Sequence, residues 1–121
     1  MPIENFSAVL PRFLKVLSIC YAIGFLLHIA DFAGLRLHFS EMSLTWRIWI
    51  IYLVIFDAIA AIGLWRRTKW GIAAFLLIAL SQLIAYLAFQ SIFGEQTFLI
   101  VFHLATLLAF LALKVLPSLR S

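Results

Sequence analysis

The sequence predicts an all-α integral membrane protein, folded as an antiparallel bundle of four transmembrane helices. Of its 121 residues, 66% are hydrophobic and only 12% are charged, whereas a soluble domain is about half apolar and about a quarter charged. The apolar residues fall in four long blocks. A bilayer core about 30 Å thick needs roughly 20 apolar residues of helix to cross it. The four blocks account for most of the chain, so residues 1–121 are predicted to form a single membrane domain.

Aromatic and basic residues mark the ends of the four blocks. Trp46 and Trp65 flank the second block, as expected for the aromatic belt at a membrane interface. Lys15 lies one turn inside the first block, from where its ammonium group can extend to the interface. The predicted spans are approximately residues 13–30, 48–64, 70–90 and 98–115.

The distribution of basic residues predicts that both termini lie in the cytoplasm. With the N-terminus inside, only Arg36 and Arg47 of the nine Lys and Arg residues fall on the outer side. The connections are short, which is the condition under which the positive-inside rule holds. The net charge of +4 therefore reflects orientation in the membrane, and we expect no binding to nucleic acid.

Segment 63–71, GLWRRTKWG, forms the predicted inner turn between the second and third spans. It resembles the inner turn of many small bacterial four-helix membrane proteins, including DoxX-like ones. The resemblance covers this turn and the topology, and it assigns no functional residue. It implies a multi-pass protein of the bacterial cytoplasmic (inner) membrane.

Two further patterns concern the helix contacts and the longest connection. Residues 31–45 alternate between apolar and polar side chains, which favours an extended or irregular segment on the outer membrane surface. Small residues on the third and fourth spans form stripes that would let helices approach closely. These stripes are Ala74, Ser81, Ala85 and Ala88 on the third span, and Ala105, Ala109 and Ala112 on the fourth.

Asp57 and Gln82 are predicted to lie near the membrane midplane on adjacent helices, given a rise of about 1.5 Å per residue. Ionisable side chains at such depth are costly and mark either a paired structural group or a functional one. The structural interpretation is an Asp57–Gln82 hydrogen bond joined by Ser81 or Tyr21. The functional interpretation is that Asp57 carries a proton or ion in an oligomeric transporter or channel.

Two histidines are predicted to meet in the outer half of the membrane. His28 shares one helix face with Tyr21, Gly24 and Asp31, which step by three and four residues. His103, on the fourth span, falls at the same depth, roughly 8 Å below the outer surface.

These histidines allow three kinds of chemistry. A copper, zinc or iron ion fits imidazole and carboxylate ligands, here His28, Asp31, His103 and His38 of the outer loop. Opposed imidazoles of His28 and His103 could instead be axial ligands of a b-type haem. The third interpretation is structural: His28 would bond Asp31 or Tyr86, while His103 would bond a backbone carbonyl or Thr106.

Three functional hypotheses follow. The first is a non-catalytic accessory or assembly subunit of a larger membrane complex, in contact with lipid and with other membrane subunits or copies of itself. The second is a metal- or haem-binding protein that uses His28 and His103, and the third is an oligomeric transporter or channel component that uses Asp57. The first needs no special site. Cys20 is the only cysteine, and no hydrolase or kinase motif occurs, so the sequence leaves enzymatic activity undecided.

Overall fold

The computed structural model describes residues 3–33 and 42–120, and all regular elements in these ranges are helices. Four of them are long and apolar enough to cross a membrane, which confirms the predicted number of spans; their apolar stretches are Val9–Asp31, Leu44–Trp65, Lys69–Ala88 and Thr97–Lys114. In chain order, the helices are α1 (Ile3–Phe32), α2 (Leu44–Trp65), α3 (Lys69–Ala88), the short α4 (Gln90–Phe93) and α5 (Thr97–Arg120).

The four long helices contact one another in a ring. Helix α1 contacts α2, α2 contacts α3, α3 contacts α5, and α5 returns to α1. Apolar side chains fill the centre, while large residues such as Leu26, Phe98 and Leu108 remain exposed on the outside, as suits contact with lipid. The central core consists of Leu14, Leu17, Tyr21, Leu53, Ala60, Leu64, Ala74, Phe75, Ile78, Ala79 and Phe110.

Helix α2 begins at Leu44, ahead of the predicted span start at residue 48. Ser43 is its N-cap, and the Ser43 hydroxyl accepts a hydrogen bond of 3.2 Å from the backbone N–H of Trp46. Such a cap satisfies a donor that the first helical turn leaves without a partner. The alternating pattern after residue 42 therefore belongs to a helix start, and the extended interpretation is wrong there. Residues 34–41, which include His38, lie outside the described residues.

Helix α3 ends at Ala88, where Phe89 leaves the helical conformation (φ −121°, ψ 42°) before the single turn of α4. This turn places Phe93 in an aromatic cluster, with ring centroids 5.3 Å from Trp46 and 5.1 Å from Trp49. The indole N–H of Trp49 donates a hydrogen bond of 3.0 Å to the hydroxyl of Tyr86. Aromatic packing thus joins α2, α3 and α4 at this end of the bundle.

At the opposite end, a tight turn joins α2 to α3. The Thr68 hydroxyl accepts a 3.1 Å hydrogen bond from the Gly71 N–H and donates one of 3.1 Å to the Gly63 carbonyl. Arg67 has a positive φ of 57°, a left-handed conformation that reverses the chain. The two glycines lie so close that a Cβ on either would overlap the backbone of the other. Lys15 approaches the same end, since its ammonium lies 5.0 Å from the centroid of Trp65.

The stripes of small residues differ in their packing. On α3, Ala74 and Ala85 are buried and Ser81 is partly buried, as expected for a close interface, whereas Ala88 is exposed. On α5, Ala105 is exposed, and the helix instead buries His103 and Phe110. The predicted packing stripe on α5 is therefore wrong, because the rotation of α5 about its axis follows the polar contact of His103 and the ring of Phe110.

Candidate functional site

Each of the four long helices contributes buried polar side chains. In the part of the chain that the structure describes, these residues are Ser18, Asp31, Asp57, Gln82 and His103. Ser18 lies apart from the others, since its hydroxyl donates to the backbone carbonyl of Ala61. The other four belong to two groups. Asp31 and Asp57 flank the partly buried His28 between α1 and α2, and Gln82 pairs with His103 between α3 and α5.

The first group is built around His28. Its Nε2 atom lies 3.7 Å from Oδ2 of Asp57 on α2, and its Nδ1 atom lies 3.8 Å from Oδ2 of Asp31 one turn further along α1. Gly24 makes room for this arrangement, because a Cβ there would lie 3.2 Å from Oδ2 of Asp57. The imidazole therefore stands between two buried carboxyl groups, with its own side chain 22% exposed.

The second group is the pair of Gln82 and His103. The Nε2–H of His103 donates a hydrogen bond to Oε1 of Gln82, and the Thr106 hydroxyl donates to the backbone carbonyl of His103. The expected Asp57–Gln82 bond is absent among the described residues, since Gln82 faces α5 and Asp57 faces α1. Ser81 is likewise engaged elsewhere, 2.7 Å from the hydroxyl of Tyr52.

Two buried polar atoms beside these groups have no hydrogen-bond partner in the described structure, the hydroxyl of Tyr21 and Nδ1 of His103. The Tyr21 ring is held edge-on against Phe75 and Phe102, with centroid distances of 6.0 and 6.4 Å. Buried polar groups nearly always find a protein or water partner. Because leaving one unpaired costs about 1–3 kcal/mol, these two atoms are positions where a water or a polar group of a bound molecule would form a hydrogen bond.

Both side chains line a cavity of about 250 Å³ between α1 and α5. Ile23 and Leu27 on α1 and Phe98 on α5 lie along it and are themselves exposed, at 54%, 43% and 78%. The cavity therefore opens sideways, toward lipid. The lining residues are Cys20, Tyr21, Ile23, Gly24, Leu27, His28, Asp57, Gln82, Phe98, Leu99, Phe102 and His103.

The structure brings most of the predicted site residues to this cavity. His28, His103, Asp57 and Gln82 line it, and Asp31 lies beside His28. Among the described residues, no three or more His, Cys, Asp and Glu side chains are grouped so that they could hold a metal ion. The metal and haem hypotheses therefore stay predictions.

Sequence reasoning missed the Gln82–His103 pair and the contribution of Phe98 and Phe102. The depths predicted for the two polar residues differ, so the sequence predicts no contact between them. The available signal was that a glutamine and a histidine are the main polar groups deep in their respective spans, and such groups tend to pair in a membrane.

Comparison with known proteins gives a family but no activity. A family model described as a family of unknown function (DUF6163) matches residues 6–121. No curated protein and no solved structure matches the chain.

Proposed function

Since the chain belongs to the DUF6163 family, whose function is unknown, we propose from its own geometry that it is a non-catalytic membrane subunit that binds a small lipophilic molecule. The observation that carries the proposal is the cavity between α1 and α5, with unpaired polar atoms on two of its lining side chains. Pockets for small molecules are typically apolar with a few converging polar groups.

The lining residues indicate the class of molecule. None of them is Lys or Arg, and Asp57 is acidic, so an anionic head group has no countercharge here. The unpaired Tyr21 hydroxyl and His103 Nδ1 suit an uncharged hydroxyl or carbonyl group. The remaining surface is apolar and aromatic, which favours a ring or alkyl body.

The size and opening of the cavity indicate how such a molecule would lie. A volume of about 250 Å³ is below the roughly 300–1,000 Å³ of pockets that enclose a drug-sized ligand. The cavity therefore holds one ring or head group, and any longer chain extends between Ile23 and Phe98 into the bilayer. Entry from lipid needs no aqueous path.

The proposed role as a subunit of a larger assembly is supported by how little of the chain lies outside the helices. Its mass is concentrated in four apolar helices joined by short connections, which leaves helix surfaces as the main means of contact with other membrane subunits or further copies. We place the protein in the bacterial inner membrane, as an antiparallel bundle with both termini in the cytoplasm. The basic residues at the α2–α3 turn support this orientation.

The two other hypotheses have weaker support. For metal or haem, the Nε2 atoms of both His28 and His103 already face side-chain oxygens; an absorption spectrum and metal analysis of purified protein test this hypothesis directly. A transporter based on Asp57 would need a path through the whole bundle. The half of the bundle toward the α2–α3 turn is closed by buried Leu17, Ala60 and Phe75.

A bulky residue at the mouth of the cavity is expected to block binding. The probe is a long-chain alkylphenol that carries a photoreactive diazirine, applied to the protein in lipid nanodiscs. We expect it to label peptides of α1 and α5, and Leu27→Trp to reduce this labelling about tenfold, equivalent to about 1.4 kcal/mol of binding free energy. Mass spectrometry of the labelled peptides provides the measurement.

The adjacent residue provides the matched control. Leu26 is 63% exposed and does not line the cavity, so Leu26→Trp should leave the labelling unchanged. Tyr21→Phe should weaken binding about three- to tenfold, because it removes one hydrogen bond to the ligand. Equal labelling of both tryptophan variants would refute the proposed binding site.

The orientation predicts a specific pattern of thiol labelling in cells. In a Cys20→Ser background, we expect Glu95→Cys to react with a membrane-impermeant maleimide added to intact cells, and Lys69→Cys to react only after lysis. Both positions are exposed in the structure, so accessibility differs only by membrane side. The reverse pattern would contradict cytoplasmic termini.

A further inference from the structure

We propose that Asp57, His28 and Asp31 form a proton path that connects the cavity with the Asp31 end of the bundle. The three side chains follow one another from α2 to α1 with successive N···O separations of 3.7 and 3.8 Å. The use of the path rests on the proposed function, because it would let a bound molecule with an acidic O–H, such as a phenol, exchange its proton. The path itself can be measured without that molecule.

The positions of the three residues define the direction of the path. Asp57 lines the cavity, and Asp31 is the last residue of the membrane-spanning part of α1. His28 lies between them and presents a different ring nitrogen to each carboxyl group. An imidazole can accept a proton on one nitrogen and release one from the other, which is the property that a relay needs.

The steps balance as a transfer of one proton. The O–H proton of the bound molecule passes to one oxygen of the protonated Asp57 carboxyl group while the Asp57 proton passes to the oxygen of the molecule, so that the molecule stays uncharged. Asp57 then gives a proton to Nε2 of His28, Nδ1 of His28 releases one to Oδ2 of Asp31, and Asp31 releases it to water at the helix end. No electron changes place, and the reverse sequence returns the proton.

The two separations determine how each transfer occurs. A direct hydrogen bond of this kind spans about 2.7–3.2 Å, so both gaps are too long for immediate transfer. A small rotation of the imidazole, or one bridging water, closes each gap. The space for such movement is present, since the His28 side chain is 22% exposed and borders the cavity.

The path ends at the cavity and does not cross the membrane. Toward the α2–α3 turn, the bundle interior consists mainly of packed apolar side chains, among them Leu14, Leu17, Ala60, Leu64 and Phe75. The buried hydroxyl of Ser18 on this side does not titrate and is bonded to the Ala61 carbonyl. The other titratable side chains that face the cavity are Cys20 and Tyr21 from α1 and His103 from α5, while α3 contributes the non-titrating Gln82. Protons would therefore exchange with one side of the membrane only.

The test follows protonation of Asp57 by time-resolved infrared spectroscopy after a pH jump, with ligand-free protein in nanodiscs. The Asp57 carboxyl band is identified by its loss in Asp57→Asn. We expect Asp31→Asn and His28→Gln each to slow its appearance about tenfold or more, in line with the usual effect of removing a positioned proton carrier. Glutamine retains hydrogen bonding but cannot carry the proton.

Glu95→Gln is the matched control, because Glu95 is exposed and lies outside the cavity; its rate should equal that of the unmodified protein. Unchanged rates in both Asp31→Asn and His28→Gln would overturn the proton path, as would the absence of any Asp57 carboxyl band across the pH range. Failure of the alkylphenol probe to bind would instead refute the proposed ligand, and it would not affect the evidence for the proton path.

Discussion

Alanine in place of Gly71 is expected to destabilise the bundle by about 3 kcal/mol, at the upper end of overpacking effects. The added Cβ would overlap the backbone of Gly63 on α2, and backbone atoms cannot move aside as a flexible side chain can. Alanine inside a helix is otherwise favoured over glycine by about 0.5–1 kcal/mol. A loss of stability in Gly71→Ala would therefore come from the close approach of the two helices. Unfolding in mixed micelles by added denaturing detergent measures the change in free energy.

Gly24→Ala provides the comparison for this prediction. Its Cβ would meet only the side chain of Asp57, with the nearest atom, Oδ2, at 3.2 Å, and that side chain can shift by a few tenths of an ångström. The loss of stability should therefore be clearly smaller than at Gly71. If Gly71→Ala were as stable as the unmodified protein, the close approach of α2 and α3 at this turn would be wrong.

The buried Gln82–His103 hydrogen bond predicts the second large effect. Replacing His103 by leucine leaves the Gln82 amide buried without its partner, and an unsatisfied buried group costs about 1–3 kcal/mol. We expect His103→Leu to lower the free energy of unfolding by about 2 kcal/mol. Adding Gln82→Leu to this variant should recover part of the loss, because the double variant leaves no orphaned amide.

A double-mutant cycle separates the pair from its surroundings. Coupling energies of hydrogen bonds between membrane helices average about 0.6 kcal/mol and reach about 1.7 kcal/mol, and full burial places this pair at the upper end. Gln90→Leu, at an exposed position on α4, is the matched control and should change stability little. Additive single effects, with no coupling, would show that the two side chains do not pair.

The sequence predicts which polar residues lie within the membrane-spanning helices, but it does not predict their partners on neighbouring helices. His28 and Asp31 were expected together because residues three apart share a helix face, and the structure places them 3.8 Å apart. Asp57 was expected to bond Gln82, yet it faces His28 instead. The short distance along one helix is a local property, whereas contact between two helices depends on the rotation of each.

Four helices long and apolar enough to span a membrane are predictable from the residues alone, and the structure contains them; the polar groups within these helices are predictable in the same way. Length and hydrophobicity suffice for this, because the bilayer imposes a fixed thickness and forbids unpaired backbone groups. The pairs Asp57–His28 and Gln82–His103 and the cavity between α1 and α5 arise from how the helices pack together, which the residues alone do not predict. Every face of these helices is apolar enough for lipid, so their rotation is set by packing against neighbouring helices, and that packing decides which polar side chains meet.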